Sequence, residues 1–543
     1  MNTKMMKFTV LIAAFMSAGC SDDTINKNIG TDIYQSQELR VVPQPQFISY
    51  SDDDYRLPEE IVIGYSAISL QNEAVFLQEY LKEDYGLEVK VSEGLDNKPI
   101  QLIVDPNFRE KVKGAYRINV DNEKIEVIAK EDQGIFYGIQ TIRQALIKTD
   151  KGFKLPQMLI SDYPLSNWRS VMLDEGRYFK GKDVVKNILD EMARLKMNIF
   201  HWHLTDDQGW RLEIKKYPKL TEVGSKRDST QINNGPDWSW VHNEWDGIPH
   251  EGYYTQDDIK EIVEYAKERY IDILPEVEIL THTQAAIASY PQLGTTKKPV
   301  RVACNLGVME EVMDISDSFT MQFIKDVLAE TTTLFPFGYI HIGGDELMGN
   351  NWKNSTGIRN LKNKVGATED FELQIWFSNE ISKYLQTINR KMIGWSDFLG
   401  SKDKVSKIAV DVAPGTVAQY WRGDLNDLKF IMKHNVEVIQ SHTDFAYYNN
   451  WMPNVYEQKC IPDQINDDRQ QIIGIGSAAW GEFDSTADIL YDHMFPRMGA
   501  YAEIGWSNPQ RKDYKSFIYR LTPKYDLWKK KGINYGSTDE SKE

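Results

Sequence analysis

The sequence predicts an α/β protein, a (β/α)8 TIM barrel preceded by a small α+β domain. Three observations carry that prediction. After Pro164, eight short apolar runs rich in β-branched residues recur, each separated from the next by a helical stretch. Acids and tryptophans gather at the C-terminal ends of those runs, where a barrel of this kind builds its site. Before Pro164 the rhythm differs, with short strands and only two amphipathic helical stretches.

Taken from the N-terminus, Lys4 and Lys7 precede an apolar run from Phe8 to Ala18, too short to span a bilayer and laid out as a secretory signal peptide over residues 1–19. The run closes on Ser17-Ala18-Gly19-Cys20, which resembles a bacterial lipobox with Ser17 in place of the usual Leu. That resemblance implies cleavage before Cys20, lipidation of its thiol and anchorage in the outer membrane, on its periplasmic or cell-surface face. An incidental cysteine after an ordinary signal peptide is the alternative. Ser21, Asp22 and Asp23 follow, similar to a surface-export signal, and residues 20–40 form a polar tether.

From Val41 to Tyr163 we expect the α+β domain, with strands at Ile61–Ile63, Ile100–Val104, Tyr116–Val120 and Lys124–Ala129 and helices near Ala74–Tyr85 and Gly134–Lys148. The second helix places Ile135, Ile139 and Ile142 at helical spacing, which reads as packing. The barrel then occupies residues 164–543. Its candidate strands are Arg169–Asp174, Asn198–Thr205, Ile271–Glu278, Tyr339–Glu346, Lys391–Asp397, Thr416–Trp421, Glu437–His442 and Ile472–Gly481.

Composition narrows the function classes. Apolar residues make up 41% and charged residues 26%, a soluble enzyme's profile, and the aromatic share of 12% suits either a carbohydrate site or ordinary cores. A net charge of −17 opposes binding to nucleic acid, or to an anionic membrane other than through a lipid anchor. Of the three cysteines, Cys304 and Cys460 lack metal-ligand spacing and could be one disulfide or two buried thiols.

The fourth candidate strand ends on Gly343-Gly344-Asp345-Glu346. Burying two neighbouring ionised carboxylates is costly, so this pair is either solvated or held in a polar site that keeps its pKa values apart. His201 and His203 alternate on one strand face and, with Asp206, could be mistaken for a zinc site. A catalytic zinc would need a third inward ligand and an open position, and the acidic pair already accounts for the chemistry, so no metal is expected.

Four motifs in order resemble the signature series of family 20 glycoside hydrolases, the β-N-acetylhexosaminidases. They are Met172-Leu173-Asp174-Glu175-Gly176-Arg177, His201 through Trp210, His341 through Glu346, and Trp480-Gly481-Glu482. The resemblance runs from about Val41 to Trp506 and includes the accessory domain. It implies an exo-acting, retaining enzyme that releases terminal β-linked GlcNAc or GalNAc. The sugar's own 2-acetamido oxygen acts as nucleophile through an oxazolinium intermediate, so no cofactor is needed. Glu346 would be the general acid and then the base, and Asp345 would orient the acetamido N–H. The charge of Asp345 would help to keep Glu346 protonated.

By the same resemblance Arg177 and Glu482 bind sugar hydroxyls, and Trp395, Trp421 and Trp480 wall the acetamido pocket. Tyr447 and Asn449 match a Tyr-x-Asp/Asn pair, with Tyr448 as the alternative register. Asp206 couples with His282 to tune the acid. The segment Pro275-Glu276-Val277-Glu278-Ile279-Leu280-Thr281-His282 departs from the family's Pro-Glu-x-Asp-x-Pro-Gly-His, so a differently shaped loop is expected to carry His282. Trp352 is open between stacking on the next sugar and a core role. Two other readings stay in view: a disaccharide-releasing, lacto-N-biosidase-like relative, and a non-catalytic glycan-binding lipoprotein, which would be expected to have lost one of the two acids.

Overall fold

A computed structural model describes residues 39–233, 240–347, 350–399, 412–449, 456 and 471–536. Cys20 and Cys460 lie outside them. Among the described residues no helix is long and apolar enough to cross a membrane.

The first part is a mixed sheet of eight strands: β1 (Phe47–Arg56), β2 (Ile61–Tyr65), β3 (Val89–Glu93), β4 (Ile100–Val104), β5 (Tyr116–Val120), β6 (Ile125–Ala129), β7 (Ile147–Thr149) and β8 (Gly152–Asp162). Their order is β1-β8-β5-β6-β4-β2-β3, with β7 on β8. Helices α1 (Gln71–Tyr85) and α2 (Asp132–Ala145) accompany it, and Ile135, Ile139 and Ile142 of α2 are fully buried, as the spacing predicts. Strands β1, β3, β7 and β8 escape the sequence reading. β1 shows why: Phe-Ile-Ser-Tyr-Ser-Asp-Asp-Asp-Tyr-Arg is mostly exposed, and antiparallel hydrogen bonds to β8 rather than an apolar face hold it in place.

Buried ion pairs join this part to the barrel. Asp162 on β8 accepts from the Trp506 indole at 2.9 Å and from Lys196 Nζ at 3.1 Å, and Lys196 also donates to Tyr116 at 2.7 Å. With every partner satisfied, the desolvated charges are tolerable.

The barrel closes from eight parallel strands: β9 (Trp168–Asp174), β10 (Ile199–His203), β11 (Asp272–Glu276), β12 (Tyr339–His341), β13 (Lys391–Trp395), β14 (Val417–Tyr420), β15 (Glu437–Gln440) and β16 (Ile472–Ala479). All eight runs expected from sequence are strands, and all but the first, which ends at Asp174 as expected, are shorter at their C-terminal ends. The change is largest in β12, which stops at His341 instead of running to Glu346, because Gly343 and Gly344 leave the extended region with φ of +67° and +90°. Trp168, Ile199, Leu274, Ile393, Val417 and Ile439 form one buried apolar cluster. Two residues further along the same strand faces come His201, Glu276, Trp395, Gln419 and Ser441, all buried. The interior thus has an apolar floor and, toward the C-terminal ends, a polar layer on which the site rests.

Candidate active site

Gly343 is where the site begins. Its φ of +67° disfavours any side chain, and a Cβ there would lie 1.7 Å from Glu278 Oε2. The chain therefore bends over the Glu278 carboxyl and delivers Asp345 and Glu346 above the barrel. Glu346 itself has φ of 54° and His282 has φ of 51°, a conformation that costs a non-glycine residue free energy and concentrates at functional sites. The Leu280-Thr281-His282 turn, without the family's Pro-Gly, uses His282 itself as the left-handed residue, and the imidazole reaches the acids. Its Nε2 lies 3.5 Å from Glu346 Oε2 and 3.7 Å from Asp345 Oδ2.

Behind His282, Nδ1 is hydrogen-bonded to Asp207 Oδ2 at 3.1 Å and lies 3.5 Å from Asp206 Oδ1. Sequence reasoning named Asp206 alone, and its neighbour is the closer partner. Asp206 is nearer to Arg177, with Nη1 at 2.9 Å, and to His203, with Nε2 at 2.8 Å. Arg177 also pairs with Asp174 at 3.1 Å and Glu482 at 3.3 Å, so the guanidinium is held by three carboxylates while it lines the pocket.

The pocket encloses about 340 Å³. Asp345, Glu346, Trp395, Trp421, Tyr447, Trp480, Arg177 and Glu482 border it, joined by Arg422, Thr443, Gly307 and Val308. Trp395 and Trp480 are 5.5 Å apart between centroids, and Tyr447 is 5.8 Å from Trp480. Tyr447 rather than Tyr448 faces it, since the Tyr448 hydroxyl pairs with Ser477 at 2.7 Å in the core. Asn449 is half-buried and does not border the cavity; Asp206 and His282 stand behind its wall. Trp352 is fully buried and donates to the Met313 carbonyl at 3.3 Å, which makes it a core residue. Among the described residues Cys304 has no disulfide partner, and Cys460 lies outside them.

Sequence reasoning missed Arg422, whose guanidinium stacks 4.3 Å from the Trp421 ring centroid, pairs with Asp397 and lies 3.8 Å from Glu346. Its place next to a strand-end tryptophan was a usable signal. Gly307 and Val308 come from a segment with no periodicity, and nothing in the sequence marks them.

Charge is distributed unevenly. Burial, against the opposing pull of His282, pushes the Asp345 carboxyl up to about 7, and the neighbouring Glu346 adds to this. Burial would raise Glu346 too, but contact with His282 and the charges of Arg422 and Arg177 hold it below the ordinary range. In the free site the pair's proton therefore sits on Asp345, the reverse of the expectation that Asp345 keeps Glu346 protonated. The reason is burial: Asp345 is 8% exposed, whereas Glu346 is half-buried and faces two cations. Burial likewise lifts Glu482 to about 7 against the pull of Arg177. Among these wall atoms, Asp345 Oδ1 is buried with no hydrogen-bond partner among the described residues.

Among the described residues, four groups of buried or half-buried histidines and carboxylates bring ligand atoms within 4.8 Å of one another, among them His201, Glu276 and His341. Glu276 Oε2, however, lies 2.8 Å from His201 Nε2 and 2.7 Å from His203 Nδ1. A tetrahedral zinc would hold such atoms about 3.3 Å apart, so these are direct contacts, an ion pair with His203 and a contact with His201, which burial holds down at about 4.

The family model described as glycosyl hydrolase family 20, catalytic domain, matches residues 166–509, and that of domain 2 matches residues 38–163. The chain belongs to glycosyl hydrolase family 20. It is a glycoside hydrolase carrying both domains. It is 31% identical over 92% of its length to a β-hexosaminidase of Porphyromonas gingivalis, of which it spans 64%. A β-N-acetylhexosaminidase structure from Bacteroides fragilis superposes with a TM-score of 0.77 at 30% identity, covering 91% of this chain and 96% of that one. An exo-β-N-acetylglucosaminidase of Vibrio harveyi, solved with N-acetylglucosamine, superposes at 0.79 with 25% identity, covering 96% and 81%.

Proposed function

We propose that this glycoside hydrolase is an exo-acting, retaining β-N-acetylhexosaminidase that removes terminal β-linked GlcNAc or GalNAc by substrate-assisted catalysis. The observation that carries the reading is Asp345 Oδ1, a buried acceptor without a donor, in a pocket walled by Trp395, Trp421, Trp480 and Tyr447 and one residue from Glu346. An acetamido N–H supplies the missing donor. A 2-hydroxyl could also donate to Asp345, but it offers no carbonyl oxygen to attack the anomeric carbon.

Two adjacent acids cannot flank a glycosidic bond as an acid and a nucleophile about 5 Å apart, but they can divide the work if the substrate brings its own nucleophile. Glu346 donates a proton to the leaving oxygen as the acetamido oxygen closes on C1. Asp345 orients the N–H and balances the positive charge of the oxazolinium ring. Ionised Glu346 then takes a proton from water, which opens the ring at C1 and leaves the product with its original configuration. Arg177 and Glu482 close one end of the pocket and bind sugar hydroxyls, which favours a chain terminus as substrate. Because the resting proton sits on Asp345, binding must transfer it to Glu346. An acetamido donor stabilises ionised Asp345, and the aglycone desolvates Glu346, so both changes drive that transfer.

The test compares 4-nitrophenyl β-N-acetylglucosaminide with the matching β-glucoside. We expect hydrolysis of the glucoside to be slower by orders of magnitude, and equal rates would refute the reading. We further propose that Cys20 carries a lipid. Palmitate labelling lost in Cys20→Ala supports this, and labelling that is unchanged or absent in both proteins rejects it.

A further inference from the structure

Beneath the pocket, Glu276 is one of the carboxylates that the mechanism above leaves unused. Glu276, the last residue of β11, is fully buried, and its two oxygens serve two different parts of the site. Oε1 accepts from Trp395 Nε1 at 2.7 Å. Oε2 lies 2.7 Å from His203 Nδ1, whose other nitrogen lies 2.8 Å from Asp206 Oδ2, and Asp206 in turn lies 2.9 Å from Arg177. Because a carboxylate faces each ring nitrogen, His203 fits between them with both nitrogens protonated and a full positive charge. One anion therefore anchors the Trp395 wall and, through His203 and Asp206, the arginine at the closed end.

We propose that Glu276 is a positioning residue that sets the width of the acyl pocket by pinning the Trp395 indole, and that it thereby restricts the enzyme to N-acetyl sugars. The inference rests on the proposed reading of Trp395 as an acetamido wall. Trp395 ends β13 with its backbone N–H on the Gly343 carbonyl at 3.0 Å, so what is left to fix is the direction of its indole. Its other neighbours, Trp480 at 5.5 Å and His341 at 5.1 Å, are ring contacts that tolerate tilting, whereas a charge-assisted hydrogen bond fixes a direction. An amide cannot replace the carboxylate. If Gln presents its oxygen to Trp395, its NH2 group can turn toward neutral His201 Nε2 but still meets the protonated nitrogen of His203, which lies nearer to that position, and if it turns round, Trp395 loses its acceptor.

The experiment measures kcat/KM for 4-nitrophenyl β-glucosaminides bearing N-acetyl, N-propionyl and N-butanoyl groups, with Tm measured alongside. In the wild type each added methylene should cost roughly 10–200-fold, as a tight apolar pocket demands. In Glu276→Gln we expect that discrimination to fall at least about fivefold, and Glu276→Asp, which keeps the charge, should recover part of it. Trp395→Phe removes the donor without touching Glu276, so it should relax selectivity in the same direction, and the double variant should do no more than the stronger single one.

If Glu276 only supports folding, Tm falls while the acyl ratio of the folded enzyme stays at the wild-type value, which overturns the proposal. Should Glu276→Gln fail to fold, an unchanged ratio in Trp395→Phe overturns it equally. Equal wild-type rates on the acetamido and hydroxyl sugars would instead sink the substrate-assisted reading, so the two failures are distinguishable.

Discussion

Replacing Asp345 by Asn should make the enzyme less active and, at neutral pH and above, more stable. Asp345 is 8% exposed, and its carboxyl is lifted from 3.8 to about 7 by burial, despite His282, with Glu346 and Asp397 contributing. The sign follows from proton counts. Between those two values the folded state holds the proton and the unfolded state does not, so wild-type stability falls as pH rises through the interval and levels off above about 7. The full interval costs on the order of 4 kcal/mol, and the part between pH 5 and 7 about 3 kcal/mol. Asparagine has nothing to lose there.

Glu482, also lifted to about 7, titrates in both proteins and cancels in the comparison. The mutant-minus-wild-type difference in Tm should therefore grow from pH 5 to pH 8, by about 3 °C for a chain of this size at about 2.1 cal/mol/K of unfolding entropy per residue. Turnover on the N-acetyl substrate should drop on the order of 10²–10³-fold, the usual cost of deleting one transition-state contact. Differential scanning calorimetry at pH 5, 6, 7 and 8 tests the stability claim. A difference that is flat with pH, or that shrinks toward pH 8, would refute the placement of the proton on Asp345.

Two further outcomes follow from the same geometry. Wild-type kcat/KM should decline above about pH 7, where the acidic pair loses the proton it shares; in His282→Ala the cation beside both acids is gone, and that limb should move to higher pH by roughly one to three units, while an unchanged profile would show that His282 does not act on the pair. Gly343→Ala forces a left-handed alanine and a Cβ at 1.7 Å from Glu278, so it should destabilise by about 2–5 kcal/mol and abolish activity; a normal Tm would mean that this bend is softer than the geometry implies.

How much was legible depends on the kind of information each feature needs. The eight barrel strands could be read because strands buried on both faces are near-continuous apolar runs, and that pattern survives without any knowledge of partners. β1 could not, because its hydrogen bonds to β8, some 100 residues away in sequence, carry no local apolar signature. The acids and tryptophans of the site were visible because strand ends in a barrel converge on one face. Arg422 was missed although its place beside the strand-end Trp421 was a usable signal, and Gly307 and Val308 carried none, since they lie on a segment whose path the strands do not dictate.

The sequence by itself determined which groups are present and at which strand ends they emerge: Asp345 next to Glu346, His201 two residues from His203, Glu276 closing β11. What only the tertiary structure decided is how their charges are shared. The proton rests on Asp345 and not on Glu346, Asp207 and not Asp206 is the nearer partner of His282, and Glu276 reaches past β12 to Trp395. Residue identity fixes a carboxyl's intrinsic acidity, but desolvation and Coulomb terms depend on distances of 3–4 Å between residues that lie tens to hundreds of positions apart, and those distances exist only once the barrel has closed.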